Sequence, residues 1–170
     1  MSQKGFITPF SAIYDKFFSY ITDDMYMEIT REETEAALQE YLEAAIQLFE
    51  FPRQDLTDYD AELGQFNILL TEEEKNILAY YMLQPWFDQQ LASCDLVRMK
   101  VTGSDFKMTS QANHIDKLQT LKANYKQEAF HLQRLYKRRR RDGNGIQRST
   151  FGDIMAATPD YKQRGLDRWY

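Results

Sequence analysis

The sequence predicts an all-α protein: a small helical bundle with one long C-terminal helix and an extended C-terminal arm. Three observations carry that expectation. Apolar residues recur at helical spacing in four stretches, two helix starts carry a capping-box pattern, and only four prolines and seven glycines punctuate 170 residues. A hydrophobic content of 43%, with 14% aromatics, is enough to fill a core and argues against global disorder.

The first helix is expected to open at Thr8-Pro9, a capping hydroxyl followed by proline at the first helical position. Phe10, Ile13, Tyr14, Phe17, Phe18 and Ile21 then form an apolar stripe that Thr22-Asp23-Asp24 breaks. Thr30 and Glu33 make a capping box, in which each side chain satisfies the other residue's orphan N–H. The helix behind it runs to about Phe49, with Leu38, Tyr41, Leu42, Ala45, Ile46 and Phe49 on one side and Pro52 as its stop. Residues 54–65 are acidic and read as an exposed loop.

Thr71 and Glu74 repeat the capping device, and Ile77, Leu78, Tyr81 and Met82 give the face of a third helix. Pro85 is expected to kink or end it, with Trp86, Phe87, Gln90 and Leu91 adding a turn or two. Val97, Met99 and Val101 alternate, as in a short strand or an extended loop. The longest helix is expected from about Ser110 to Arg141, ended by Gly143-Asn144-Gly145. Its seam is Leu118, Leu121, Tyr125, Leu132 and Leu135, with Glu128 intruding and Ile115 near the start. Roughly 30 helical residues extend about 45 Å, further than a domain of this size is wide, so part of the helix should project or meet another subunit. The organisation expected is therefore a helical domain over 1–141 and an arm over 142–170 that contacts partner subunits.

Charge is sorted along the chain. Residues 1–99 carry 6 Lys/Arg against 19 Asp/Glu, a balance of −13, whereas residues 100–141 carry 11 against 3, a balance of +8. The tail is neutral, so the net charge is −5. The basic block closes in Lys137-Arg138-Arg139-Arg140-Arg141. Cations at a helix C-terminus oppose its dipole, at about 0.3–1 kcal/mol each when exposed, and five in succession exceed that need. Three uses stay open for this run: a solvated helix end, salt bridges to an acidic neighbouring subunit, or contact with phosphate. An acidic face is expected to include Asp23, Asp24, Asp55, Asp58 and Asp60. Trp169 and Tyr170 are expected to anchor the arm in a partner's pocket, where such aromatics dominate binding.

Little points to chemistry. Asp23-Asp24 with Glu28, Glu32, Glu33 and Glu35 lacks the EF-hand ligand spacing and its glycine. His114 and His131 have no partner at metal-binding spacing, and Cys94 has no nearby histidine. Without a phosphate loop, a nucleophile elbow or a zinc spacing, neither an enzyme nor a cofactor is expected. A lone cysteine fits a reducing site of synthesis, no apolar run reaches the roughly 20 residues that span a bilayer, and the N-terminus lacks a secretory apolar region. The expectation is a soluble protein with no membrane partner.

Two stretches resemble a known family. The helix opened by Thr30-Arg31-Glu32-Glu33, running through Ala44-Ala45-Ile46 to Phe49-Glu50-Phe51-Pro52-Arg53, is similar to the head-to-tail connector proteins of tailed bacteriophages, adaptor or head-completion proteins of the neck. So is the block from Leu70-Thr71-Glu72-Glu73-Glu74 through Ile77-Leu78-Ala79 to Trp86 and Gln90. The similarity is a pattern of elements over residues 10–140, and Ser104-Asp105-Phe106-Lys107-Met108-Thr109-Ser110-Gln111 also resembles phage virion proteins.

The resemblance implies a protein made in the host cytoplasm and built into the virion neck. It would form a homo-oligomeric ring of about twelve copies beneath the portal protein, touching other neck or tail proteins. DNA would pass through the channel as a secondary contact. Because DNA must slide there, Arg138–Arg141 are expected to pair with protein carboxylates. The competing expectation is a small nucleic-acid-binding regulator that uses Lys137–Arg141 as its electrostatic footprint.

Overall fold

A computed structural model describes residues 7–26, 29–100, 105–141 and 147–149. The chain divides into two compact units, Met1–Gln133 and Arg134–Tyr170. The described residues are mostly helical, as expected, and no helix among them is long and apolar enough to cross a membrane.

The first departure is at the start. Thr8–Pro9 is a short strand, β1, and helix α1 covers Ser11–Ser19 without a side-chain cap. The Thr8 hydroxyl instead accepts the Leu70 N–H at 2.8 Å, and Phe10 is buried with its ring 5.1 Å from Phe66 and 5.9 Å from Tyr59. These long-range contacts outweigh a local cap.

The strand partners come from the segment expected to be a loop. Strands β2 (Tyr59–Asp60) and β3 (Gln65–Phe66) pair antiparallel, and β3 also pairs with β1, in the order β1-β3-β2. Leu56 and Phe66 are buried, which holds the acidic hairpin against the core. Its turn closes through Gly64 at φ 64°, a conformation that favours glycine.

A 3₁₀ turn, Asp23–Met25, follows α1. The predicted second helix is two, α2 (Arg31–Ala36) and α3 (Leu38–Leu48), divided at Ala37 where ψ is 3°. The Thr30–Glu33 capping box is formed: the Thr30 hydroxyl accepts the Glu33 N–H at 3.3 Å, and the Glu33 carboxylate accepts the Thr30 N–H at 2.8 Å. Thr71 and Glu74 do the same, at 3.2 and 2.7 Å.

Helix α4 spans Glu72–Lys100, so Pro85 lies inside it and does not end it. A mid-helix proline costs about 3 kcal/mol, and the burial of Met82, Leu83, Trp86 and Phe87 around it offsets that cost. Val97 and Met99 therefore belong to α4 rather than to a strand, and Val101 lies outside the described residues.

Helix α5 spans Asp105–Arg138, about 50 Å long. It ends earlier than expected, because Arg139–Arg141 form strand β4, paired antiparallel with β5 (Gln147–Ser149). Gly143-Asn144-Gly145, the predicted stop, lies outside the described residues. Among the side chains of α5 that are described, Ile115, Leu118, Ala129, Gln133 and Tyr136 are buried, whereas Leu132 and Leu135 of the expected seam are half-buried.

The core of the first unit forms where α1 and α3 pack on α4. Trp86, fully buried, lies at its centre, with ring contacts to Phe87 at 4.9 Å, Tyr26 at 5.7 Å and Phe17 at 6.4 Å. Its indole N–H donates to the Thr34 hydroxyl at 3.2 Å. Tyr125 of α5 stacks on Phe87 at 5.9 Å and donates its hydroxyl to the Tyr20 carbonyl at 3.1 Å.

Trp86→Ala should lower unfolding stability by about 3–5 kcal/mol, read as a lower urea midpoint, with Trp86→Phe costing less. Thr71→Ala should cost about 0.5–2 kcal/mol through loss of the α4 cap.

Candidate interaction surfaces

The aspartates expected to form one acidic face fall into two groups. Asp23 and Asp24 lie exposed in the turn after the C-terminal end of α1. Asp55, Asp58 and Asp60 lie in and before the hairpin, whose Tyr59 and Phe66 pack on Phe10 at the N-terminal end of α1.

Most of these carboxylates do local work. Asp55 accepts the Thr57 hydroxyl at 2.6 Å and its N–H at 2.9 Å, which lowers its pKa. Asp58 accepts the Asn67 amide at 2.8 Å, and Asp60 accepts the Glu62 and Leu63 N–H groups, both at 3.0 Å. Asp24 pairs with Lys117 of α5 at 2.7 Å and accepts the Thr22 hydroxyl. The hydrogen bond from Lys117, then that from Thr22, hold its carboxyl at about 2 instead of the ordinary 3.8.

The basic block is likewise divided. Lys117 and Lys122 fold back onto Asp24 and Asp88 of their own chain. Lys137 and Arg138 are the last two residues of α5 and are exposed. Arg139, Arg140 and Arg141 stand in register with Ser149, Arg148 and Gln147, so the run is part helix and part strand. Trp169 and Tyr170 lie outside the described residues. Of the other candidates, Cys94 is buried, His114 half-buried and His131 exposed. The described residues contain no group of three or more His, Cys, Asp or Glu placed to hold a metal.

Sequence patterning did not point to a groove between α3, α4 and α5. Two adjoining recesses of about 390 and 350 Å³ share Leu48, Tyr81 and Lys126. Leu48 and Phe130 line it while 43% and 50% exposed. Gln84 lines it from α4, only 8% exposed, and its amide nitrogen has no hydrogen-bond partner among the described residues. A buried donor in that state costs about 1–3 kcal/mol.

Two of the groove's lining residues, Tyr81 and Glu50, are tied together through Gln133. The Gln133 amide oxygen accepts the Tyr81 hydroxyl at 2.8 Å and the Glu50 N–H at 3.2 Å, and its nitrogen donates to the Glu50 carboxylate at 3.3 Å. Burial, then the Glu50 charge, push the Tyr81 phenol up to about 12, so it remains a donor at neutral pH.

At the opposite end of α3 the hairpin turn presents Leu63, 69% exposed. It lines a separate recess with Leu38 and Gln39, the first residues of that helix.

No family model, curated protein or solved structure matches this chain.

The lowered Asp24 value sets a pH window. Its contribution to stability is present above the ordinary value of 3.8 and is lost as pH falls toward about 2. An NMR titration should place the Asp24 midpoint near 2, and Lys117→Met should move it back toward 3.8.

Proposed function

We propose that this chain is a structural protein of the phage virion neck, acting in a homo-oligomeric ring that joins the portal vertex of the head to the tail. The observation that carries this reading is the sorting of charge between an acidic set of helices, α1–α4, and a basic α5 that ends in exposed Lys137 and Arg138. A closed ring of identical chains needs unlike surfaces that meet head to tail, and opposite charge supplies the direction. The same chemistry already operates within one chain, where Lys117 and Lys122 seat α5 on Asp24 and Asp88.

The resemblance to connector proteins rests on the two capping-box blocks of the sequence. Two capping-box helices, α2 with its continuation α3 and then α4, lie packed together, and a 34-residue helix follows. In this reading the role is structural, the partners are further copies, the portal and other neck or tail proteins, and DNA in the channel is a secondary contact.

Gold-labelled antibody against the chain should mark one vertex of purified particles, and absence of the chain from those particles overturns the proposal. Reversing Arg138, Arg139, Arg140 and Arg141 together to Glu should reduce incorporation at least ten-fold while leaving the thermal midpoint of the isolated chain near wild type. A regulator that binds nucleic acid would instead bind duplex DNA with a steep salt slope, lost when Lys137–Arg141 are changed to Ala.

A further inference from the structure

We propose that the groove between α3, α4 and α5 receives the hairpin turn of a second copy of this chain, with Leu63 between Leu48 and Phe130 and Glu62 against Lys126. The inference deepens the ring reading above and rests on it for the need that copies meet.

The groove specifies what it takes. Its sides expose Leu48 and Phe130, so the occupant brings an apolar side chain of moderate size. The other charges are engaged: Asp88 by Lys122, and Glu50 by the Gln133 amide. Lys126 makes no ion pair among the described residues and lines both recesses. The seat therefore favours an apolar residue flanked by a carboxylate.

The hairpin turn supplies that set. Leu63 is the most exposed large hydrophobic side chain among the described residues. Glu62 beside it is exposed and makes no ion pair among them, since the acceptor in the turn is Asp60, which caps the Glu62 and Leu63 N–H groups at 3.0 Å. Asp60 and Gly64 at φ 64° fix the turn before it meets anything, which cuts the ordering cost of binding.

The two surfaces cannot meet within one chain. Leu63 lies beside Leu38 and Gln39 at the start of α3, whereas the groove lies at Leu48, the last residue of that helix. Ten helical residues separate them by about 15 Å. Unlike surfaces at opposite ends of one element produce a head-to-tail contact, which closes into a ring when the rotation between copies permits.

Disulfide trapping of the full chain in a Cys94→Ser background tests this. Leu63→Cys chains mixed with Leu48→Cys chains under mild oxidation should give at least ten-fold more cross-linked dimer than either alone, and a chain carrying both should give a ladder. Gln127→Cys in place of Leu48→Cys should behave alike, which guards against a folding defect in one variant. Glu62→Lys on the first chain or Lys126→Glu on the second should suppress the cross-link, and the two together should restore it. A mixture no more reactive than its components overturns the proposal, as does a cross-link indifferent to both charge reversals. The outcome separates from the neck reading: particles labelled at a vertex without this cross-link mean a ring built through another surface. A charge-dependent cross-link in a chain absent from particles means self-recognition without a neck role.

Discussion

The molecule is organised by the need to enclose α4. From Ile77 to Phe87 this helix buries Ile77, Leu78, Ala79, Tyr81, Met82, Leu83, Gln84, Trp86 and Phe87. Residues on a helix turn by 100° each, so this set sweeps round the axis and leaves almost no solvated side. Such a helix is stable only when covered from several directions. Helices α1 and α3 pack on it, and α5 reaches it with Tyr125 and Gln133. Enclosure also explains why Pro85 does not end the helix, because the side chains that follow it are worth more buried than the hydrogen bond it removes.

Apolar packing alone tolerates sliding, and the polar contacts remove that freedom. Trp86 reaches Thr34, Gln90 donates to the Ile29 carbonyl at 3.0 Å, and Gln133 ties Tyr81 to Glu50. Each joins positions far apart in sequence, and each strands a buried polar group if its helix shifts. Gln84 stands apart from this pattern. It lies on the same enclosed helix, yet its buried amide nitrogen has no hydrogen-bond partner within the described residues.

What was legible in the sequence followed the range of the interaction. The capping boxes at Thr30 and Thr71 are complete within four residues, and both formed where their pattern placed them. The strands of the three-stranded sheet were hidden because each covers two residues and β1 is held by a partner distant in the chain, so Thr8-Pro9 looked like a cap and residues 54–65 like a loop. The ends of α4 and α5 were misplaced for a related reason. A local rule about proline met tertiary burial at Pro85, and an arginine run that continues a helix by propensity was captured by a strand partner at Gln147–Ser149. In the candidate surfaces, the acidic character of Asp24 and Asp60 was visible, but not their use as an ion-pair partner and as a turn cap. Leu48, Gln84 and Phe130 sit on three helices, and nothing in a linear pattern brings them together.

Charge and apolar area divide the work at a surface of this kind. Exposed ion pairs such as Lys117–Asp24 contribute little to stability, so a contact built only from them is weak and salt-sensitive. Their value is directional, since like-charged approaches are rejected and opposite ones are steered. Affinity comes from a few apolar anchors that fill desolvated recesses. Within the first unit the exposed apolar side chains Leu48 and Phe130 lie in a groove with Lys126, and the exposed Leu63 lies next to Glu62. In the proposed contact each apolar anchor lies beside a charge opposite in sign to that beside its counterpart, so selectivity would come from charge and affinity from apolar burial.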